Sequence, residues 1–265
     1  MFASLIQKSE DMNLYEDDNS NYSDIFDQRG DDYHSAMKLI PSARDYEFNS
    51  LLNQVNIEDG MTIVDIPSGG NYLSKYLKNK VTVIPLETSE VFSKLGNSQV
   101  CEWSLLPLED NTVDIIFCCA AFHHVQENDR KTFIKEAQRA LKTNGKLVIA
   151  DVKVNTPVAS FLNEFVDNNN SLGHIGCFMD DTFSNHYETK GMVSSDSNFV
   201  EFPWIFTSDL EESIQYLKLM FGIDKADSKM ILEEVKETLN FSKQQGRDSY
   251  SIDWALNYEV FNKEV

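Results

Sequence analysis

The 265-residue chain has no apolar run approaching the roughly 20 residues that an α-helix needs to cross a bilayer. Its first residues, MFASLIQKSEDMNLYEDD, lack the basic region and the long apolar segment of a secretory signal peptide. Internal repeats and low-complexity tracts are missing as well. We therefore expect a cytoplasmic protein, and its length suits one large domain with an insertion better than two full domains.

Basic residues are scarce in this sequence. Only 23 Lys and Arg stand against 43 Asp and Glu, which gives a formal net charge of −20, and no basic cluster is present. Nucleic-acid backbones and anionic membrane surfaces are bound mainly through clusters of Lys and Arg. The charge therefore argues against both nucleic acid and membrane as partners.

Cysteine is also rare, and the four residues of this type show no metal-ligand spacing. Cys118 and Cys119 fall in an apolar stretch that reads as a buried strand. We expect reduced cysteines that pack in the core, and the sequence predicts no metal site.

The most informative segment that is present is Met61 to Leu73, MTIVDIPSGGNYL. A short apolar run ends on Asp65, a turn containing Gly69 and Gly70 follows, and Tyr72 opens a helical pattern of apolar residues. Doubly wound α/β sheets use this order to bring backbone N–H groups and a helix N-terminus close to a ligand. A purely structural turn would have the same pattern.

Further strands with acidic residues at their ends follow this turn. The run from Lys80 to Leu86 ends on Glu87, and a short strand leads to Glu102 and Trp103. Another buried strand is expected at 113–119, a helix at 128–142 and a strand at 143–152. Three acidic strand ends at one sheet edge are far more specific than any one of them.

This order, with the segment LLPLEDNTVDIIFCCAAFHHV at 105–125, resembles the small-molecule branch of the class I S-adenosylmethionine-dependent methyltransferases. The resemblance implies a Rossmann-like, doubly wound α/β sheet of seven mostly parallel strands, with an antiparallel last strand. It implies S-adenosyl-L-methionine as cofactor. Its site residues would be Asp65 and Gly69 beside the methionine part, Glu87 at the ribose, Glu102 and Trp103 at the adenine, and the Ala120 backbone at the amino group.

The turn departs from the family pattern at two positions. Pro67 and Asn71 stand where the family usually has glycine. Proline fixes φ and cannot donate a hydrogen bond, whereas asparagine tolerates left-handed geometry better than most residues. We therefore expect the turn to form, with an effect on cofactor affinity and not on cofactor identity.

The resemblance also divides the chain. Residues 1–56 would form an acidic arm with helices that close over the cofactor, and residues 57–265 the methyltransferase domain. Tyr33 is a candidate for contact with the sulfonium, because an aromatic face attracts a cation. The alternative is a tyrosine that only packs against its own helix.

An insertion at about 154–198 is expected to cover the substrate as a lid, before a strand at 199–206. Between Val154 and Thr189 it has five acids and no Lys or Arg. That bias favours neutral or amine-bearing acceptors, although a solvated face would look the same. Helices at about 208–221 and 226–242 and a last strand at 250–260 complete the predicted domain.

Two histidines are candidates for the proton acceptor. His123 follows the strand at 113–119, and His174 lies in the lid sequence SLGHIGCF. Histidine is the usual base near neutral pH, yet either residue could simply pack, and an amine acceptor needs no base.

The sequence thus predicts methyl transfer from S-adenosylmethionine to an oxygen or nitrogen atom of a small metabolite by in-line displacement. The alternative is a non-catalytic protein that binds S-adenosylmethionine or a nucleoside, as the regulatory part of a complex. The oligomeric state is not indicated.

Overall fold

The computed structural model describes residues 21–264, so part of the predicted acidic arm, residues 1–20, lies outside the described residues. The chain folds into one mixed sheet in the order β3-β2-β1-β4-β5-β8-β6, with a two-residue β7 also paired to β8. The strands are β1 (Thr62–Asp65), β2 (Thr82–Glu87), β3 (Gln99–Val100), β4 (Val113–Cys119), β5 (Leu141–Asp151), β6 (Met192–Phe206), β7 (Ser242–Lys243) and β8 (Tyr250–Lys263). This confirms the predicted Rossmann-like sheet of seven main strands.

The first five strands run parallel, and β8 runs antiparallel to both β5 and β6. The predicted antiparallel last strand is therefore confirmed. The carboxyl ends of parallel strands meet at one edge of a sheet. Four strands therefore end on the same side, β1 at Asp65, β2 at Glu87, β4 at Cys119 and β5 at Asp151.

Helices cover both faces of the sheet. They are α1 (Tyr22–Leu39), α2 (Asp45–Leu52), α3 (Glu90–Gly96), α4 (Glu127–Ala140), α5 (Pro157–Ser160), α6 (Asp167–Asn169), α7 (Phe183–Tyr187), α8 (Leu210–Phe221) and α9 (Ser228–Thr238). A π-helical segment, Phe161–Val166, joins α5 to α6. Side chains of β4 alternate between the two cores: Ile115 packs in one hydrophobic cluster and Ile116 in the other. None of the helices in residues 21–264 is long and apolar enough to serve as a membrane span.

The predicted helix after the glycine turn is wrong. Only a 3-10 turn, Leu73–Tyr76, forms there, and Leu77 is already extended. Asn71 adopts φ 58°, and the Ser74 hydroxyl donates a 2.9 Å hydrogen bond to the Asn71 carbonyl. Such local bonds compete with helical ones, which explains the short turn. The left-handed geometry expected of Asn71 is confirmed.

Two boundaries in the second half also differ from prediction. Strand β6 begins at Met192 and not at Phe199, so the segment between β5 and β6 ends earlier than residue 198. The first half of β6 is polar because this strand forms the edge of the sheet, and an edge strand shows weak apolar alternation. Helix α8 is capped by the Asp209 side chain, which accepts from the Glu212 N–H at 2.9 Å. The helix therefore begins at Leu210, two residues after the predicted start at about residue 208.

Candidate active site

Glu87 is the most constrained polar residue at the carboxyl edge of the sheet. Its side chain is fully buried. One carboxylate oxygen, Oε1, accepts from the Thr88 N–H at 2.7 Å and the Ser89 N–H at 2.9 Å. The other oxygen, Oε2, accepts from the Gly69 N–H at 2.7 Å. Glu87 therefore joins the end of β2 to the turn that follows β1.

Asp65 lies beside this arrangement at the end of β1 and is only 4% exposed. Within residues 21–264 no hydrogen bond reaches its carboxylate. Burial raises the pKa of the Asp65 carboxyl well above its usual value, and the nearby Glu87 carboxylate raises it further. Burial also raises the pKa of Glu87 to about 7, although its N–H donors oppose the shift. Two buried carboxyl groups at one place favour a ligand with positive charge or hydroxyl donors.

The turn itself is held in a left-handed conformation. Gly69 has φ 54°. Sequence reasoning missed Gly96, at the end of α3: a Cβ built on this residue would lie 2.4 Å from the Gly69 carbonyl oxygen. Only a glycine lets the two backbones approach this closely. An isolated glycine late in a short helix gave no signal of this contact.

A cavity of about 50 Å³ lies against these residues. Its walls include Asp65, Gly69 and Ala120, together with Tyr22 and Phe26 from α1. The Tyr22 hydroxyl lies 3.4 Å from Glu87 Oε2. Pockets for small ligands usually measure about 300–1,000 Å³. The side chains of α1 thus fill most of the space beside the two carboxyl groups.

Tyr33, which the sequence suggested as a candidate for a cofactor contact, also lines this cavity. Its ring meets that of Phe92 edge-on, with centroids 5.3 Å apart. Its hydroxyl accepts a short hydrogen bond from Arg44, which pairs with the buried Glu47. The Trp204 indole N–H donates to Glu47 at 2.8 Å. Tyr33 is therefore fixed by a buried network that reaches β6.

The remaining predicted residues divide into two groups. Ala120 lines the cavity directly after β4, with φ 51° and its N–H donated to the Ala150 carbonyl at 2.7 Å. Glu102 is exposed. Trp103 is buried and packs edge-on against Tyr22, with ring centroids 6.0 Å apart. The residues that line the cavity do not include Glu102 or Trp103, nor Glu87, whose side chain lies behind Gly69 and Tyr22.

His123 is held by a carboxylate that sequence reasoning also missed. The Asp151 side chain at the end of β5 accepts from the His123 backbone N–H at 2.9 Å, and its other oxygen lies 2.6 Å from His123 Nδ1. A carboxylate can only accept, so Nδ1 is the donor, and in the neutral form of the ring the lone pair is then on Nε2. The one signal of Asp151 in the sequence was its position as an acidic residue at the end of a strand. Its pairing depends on the three-residue 3-10 turn Phe122–His124.

His174 is brought over His123 by the folding of the lid. The side-chain amide of Asn163, in the π-helical segment, accepts from the Gly176 N–H at 2.8 Å and donates to the Gly176 carbonyl at 2.9 Å. The His174 N–H donates to Asp167 at 2.7 Å. The ring centroids of His123 and His174 then lie 5.4 Å apart.

His124 completes a group of three imidazoles, with ring centroids 4.0 Å from His123 and 4.8 Å from His174. Burial lowers the pKa of His124 and His174 well below the usual value, and the nearby His123 adds to the effect. Both rings are therefore neutral near pH 7. The two predicted bases thus lie together, with a third histidine beside them.

Several lid acids have structural partners. Asp167 accepts from His174, Asp180 accepts from the Thr182 N–H at 2.8 Å, and Asp181 pairs with Lys153 at 2.7 Å. The negative charge of the lid therefore gives weaker evidence on the acceptor than its sequence suggests.

Residues 64–149 match the family described as "Methyltransferase domain". Among curated proteins, the chain is 25% identical over 189 residues to Ribosomal RNA-processing protein 8 of Arabidopsis thaliana, covering 68% of this chain and 61% of that protein. It is 25% identical over 139 residues to an uncharacterized methyltransferase of a Geobacillus species, covering 49% and 63%. The chain thus spans about three fifths of these two relatives.

The fold is similar to solved structures at low sequence identity. One is a candidate methyltransferase from Bacillus halodurans, with a TM-score of 0.58, 16% identity and coverage of 83% of this chain and all of that one. Another is an S-adenosylmethionine-dependent methyltransferase from Thermotoga maritima, with a TM-score of 0.55, 15% identity and coverage of 92% and 100%. At such identities the likeness supports the fold alone.

The bonds between Asn163 and Gly176 generate a prediction for the lid. Replacing Asn163 by Ala leaves the N–H and C=O of Gly176 without their partner, at a cost of about 1–3 kcal/mol in the free energy of unfolding. We expect faster amide exchange at 170–177, measured by hydrogen–deuterium exchange. Asn168→Ala is the matched control, because this exposed amide bonds only the Glu164 carbonyl one helical turn away. Equal exchange in both variants would contradict the role given to Asn163.

Proposed function

We propose that this chain, whose residues 64–149 match a methyltransferase domain, is a class I S-adenosylmethionine-dependent methyltransferase that transfers a methyl group to an oxygen or nitrogen atom of a small metabolite. The observation that carries the proposal is the pair of buried carboxyl groups, Asp65 and Glu87, joined through the Gly69 N–H at the carboxyl edge of the sheet. S-adenosyl-L-methionine supplies the chemistry when bound, namely a methyl group on a positively charged sulfur that a nucleophile can attack in line.

The residues at the cavity fit this cofactor. Asp65 would accept from the ammonium group, which offsets a buried charge that has no partner within residues 21–264. Glu87 would accept from the ribose hydroxyls. The aromatic face of Tyr33 would lie beside the sulfonium, and the Ala120 backbone beside the amino group.

The cavity size requires a movement of α1. A volume of about 50 Å³ is too small for the cofactor, and the Tyr22 hydroxyl lies 3.4 Å from the Glu87 oxygen that the ribose would use. We propose that the first turn of α1 shifts as the cofactor enters and then closes over it. Because Trp103 packs against Tyr22, this shift would open the indole to the adenine. Exposed Glu102 would join the same subsite.

The histidine pair supports an acceptor that loses a proton. His123 Nε2 is free while Asp151 holds Nδ1, the arrangement of an oriented general base. His174 lies 5.4 Å from that ring and would position the acceptor or serve as a second proton acceptor. The segment at about 154–191 would cover this space as a lid.

The proposed class of methyl acceptor is inferred from the charge of the chain and of its lid. With a net charge of −20 and no basic cluster, the chain is poorly suited to a nucleic-acid acceptor, even though one relative is named for ribosomal RNA processing. A lid segment without Lys or Arg between Val154 and Thr189 favours a neutral or amine-bearing metabolite.

The departure of the turn from the family pattern, with Pro67 and Asn71 in place of glycine, favours the alternative, a non-catalytic binding protein. A methylation screen over neutral and amine-bearing metabolites separates the two. We expect at least one acceptor to gain 14 mass units in the presence of the cofactor, roughly the mass of an added CH₂. Cofactor binding without methylation of any acceptor would favour the binding protein.

The raised pKa of Glu87 generates a prediction for cofactor affinity. A ribose hydroxyl donates to an ionised carboxylate, and with a pKa of about 7 Glu87 is mostly protonated at pH 6 and mostly ionised at pH 8. The dissociation constant of S-adenosylhomocysteine should therefore be about tenfold lower at pH 8 than at pH 6, as calorimetry can measure. Glu87→Gln should bind more weakly at both values and show a smaller dependence, because only Asp65 then remains with a raised pKa. A wild-type affinity that is constant between pH 6 and pH 8 would count against the ribose contact.

A second prediction concerns the base. With an acceptor that reacts at a hydroxyl, His123→Ala should lower turnover by about 10²- to 10⁴-fold and leave cofactor binding intact. His174→Ala should raise the Michaelis constant more than it lowers turnover, because this residue would mainly position substrate. His186→Ala, at an exposed position outside the cluster, is the control. Near wild-type turnover in both test variants would mean that transfer works by alignment alone, with an amine as acceptor.

A further inference from the structure

We propose that His123, His124 and His174 form a binding site for a single divalent transition-metal ion of the zinc type. The three residues each offer an imidazole nitrogen, and these atoms all lie within 4.8 Å of one another. Their positions come from two separate elements, the 3-10 turn after β4 and the lid loop that Asn163 and Asp167 hold in place.

The ring spacing fits three imidazoles that share one ion. At a metal–nitrogen distance of about 2.0–2.1 Å, ring centroids around a tetrahedral or octahedral ion lie roughly 4.5–5.2 Å apart. The observed separations are 4.0, 4.8 and 5.4 Å. Small rotations of the rings would bring the three nitrogens into the coordination shell.

The ring nitrogens of two of the imidazoles lack partners in the described structure. Within residues 21–264 no hydrogen bond reaches a ring nitrogen of His124 or His174. Nδ1 of His174 is fully buried without a partner, in a residue that is only 7% exposed. Buried polar atoms are nearly always bonded, so an orphaned ring nitrogen beside two other imidazoles indicates a ligand.

The Asp151 carboxylate contacts the far nitrogen of one proposed ligand, His123. It holds His123 Nδ1 at 2.6 Å, so Nε2 is the nitrogen that remains for the ion. Histidine ligands of metals commonly donate their other N–H to a carboxylate in this way. Arg29 places a positive charge near His124 and His174, and Arg130 places a second one near His124, and both charges oppose a cation. The Asp151 carboxylate beside His123 favours it.

The donor set selects the class of ion. Three neutral nitrogens suit Zn²⁺, Co²⁺, Ni²⁺ or Cu²⁺, and not Mg²⁺ or Ca²⁺, which prefer oxygen ligands. Three protein ligands leave at least one position for water or another small ligand. The ion takes the Nε2 lone pair that a proton acceptor needs. It is therefore expected to inhibit methyl transfer, a consequence that rests on the proposed role of His123.

Cobalt titration tests the site without cofactor or acceptor. We expect chelator-treated wild-type protein to bind one equivalent of Co²⁺ with visible absorption bands, and Zn²⁺ to displace it. His174→Gln and His124→Gln should each weaken Co²⁺ at least tenfold, whereas His186→Gln should bind as the wild type does. Circular dichroism checks that each variant is folded.

The proposal is overturned if the wild-type protein binds no stoichiometric Co²⁺ or Zn²⁺ at micromolar concentrations. It is equally overturned if folded His174→Gln and His124→Gln proteins bind like the wild type. Because the readout is absorption, absence of methyltransferase activity would leave this result unaffected. Conversely, a protein that binds no metal could still transfer methyl groups, and methylation assays on chelator-treated protein would test that separately.

Discussion

The carboxylate of Glu87 is the constraint on which the candidate site depends. It is buried at the end of β2 and accepts backbone N–H groups from Gly69, Thr88 and Ser89. These bonds fix the turn after β1 and place Asp65 beside a second carboxyl group. Each buried carboxyl group raises the free energy of the folded chain unless a ligand supplies hydroxyl donors or positive charge. The arrangement is therefore better suited to binding than to stability.

Helix α1 connects this site with the histidine cluster. Phe26 stacks on Phe92 at the cavity, with ring centroids 5.0 Å apart, and its ring centroid also lies 6.3 Å from that of His124. A shift of α1 that admits the cofactor would therefore also change the surroundings of the imidazoles. Tyr33 lies on the same helix and is tied through Arg44 and Glu47 to β6. This network gives α1 a fixed end about which its first turn can move.

The sequence predicted the sheet well, because strand ends and apolar runs are local signals. Strand β4 was predicted to the residue, and Glu87 and Gly69 were placed correctly at one edge. Prediction was wrong where tertiary contacts override local pattern. The Ser74 hydroxyl shortens the expected helix after the turn, and the edge position of β6 hides its apolar alternation. The pairing of Asp151 with His123 depends on the 3-10 turn after β4, and the position of His174 depends on how the lid folds back over that turn. Local sequence pattern could predict neither contact.

The central claim is that the carboxyl pair at the ends of β1 and β2 binds S-adenosylmethionine. Isothermal titration calorimetry with S-adenosylmethionine and S-adenosylhomocysteine tests it most directly. We expect one binding site per chain with a micromolar dissociation constant, and competition between the two ligands. Absence of heat for both ligands, at two temperatures and with circular dichroism showing a folded chain, would contradict it.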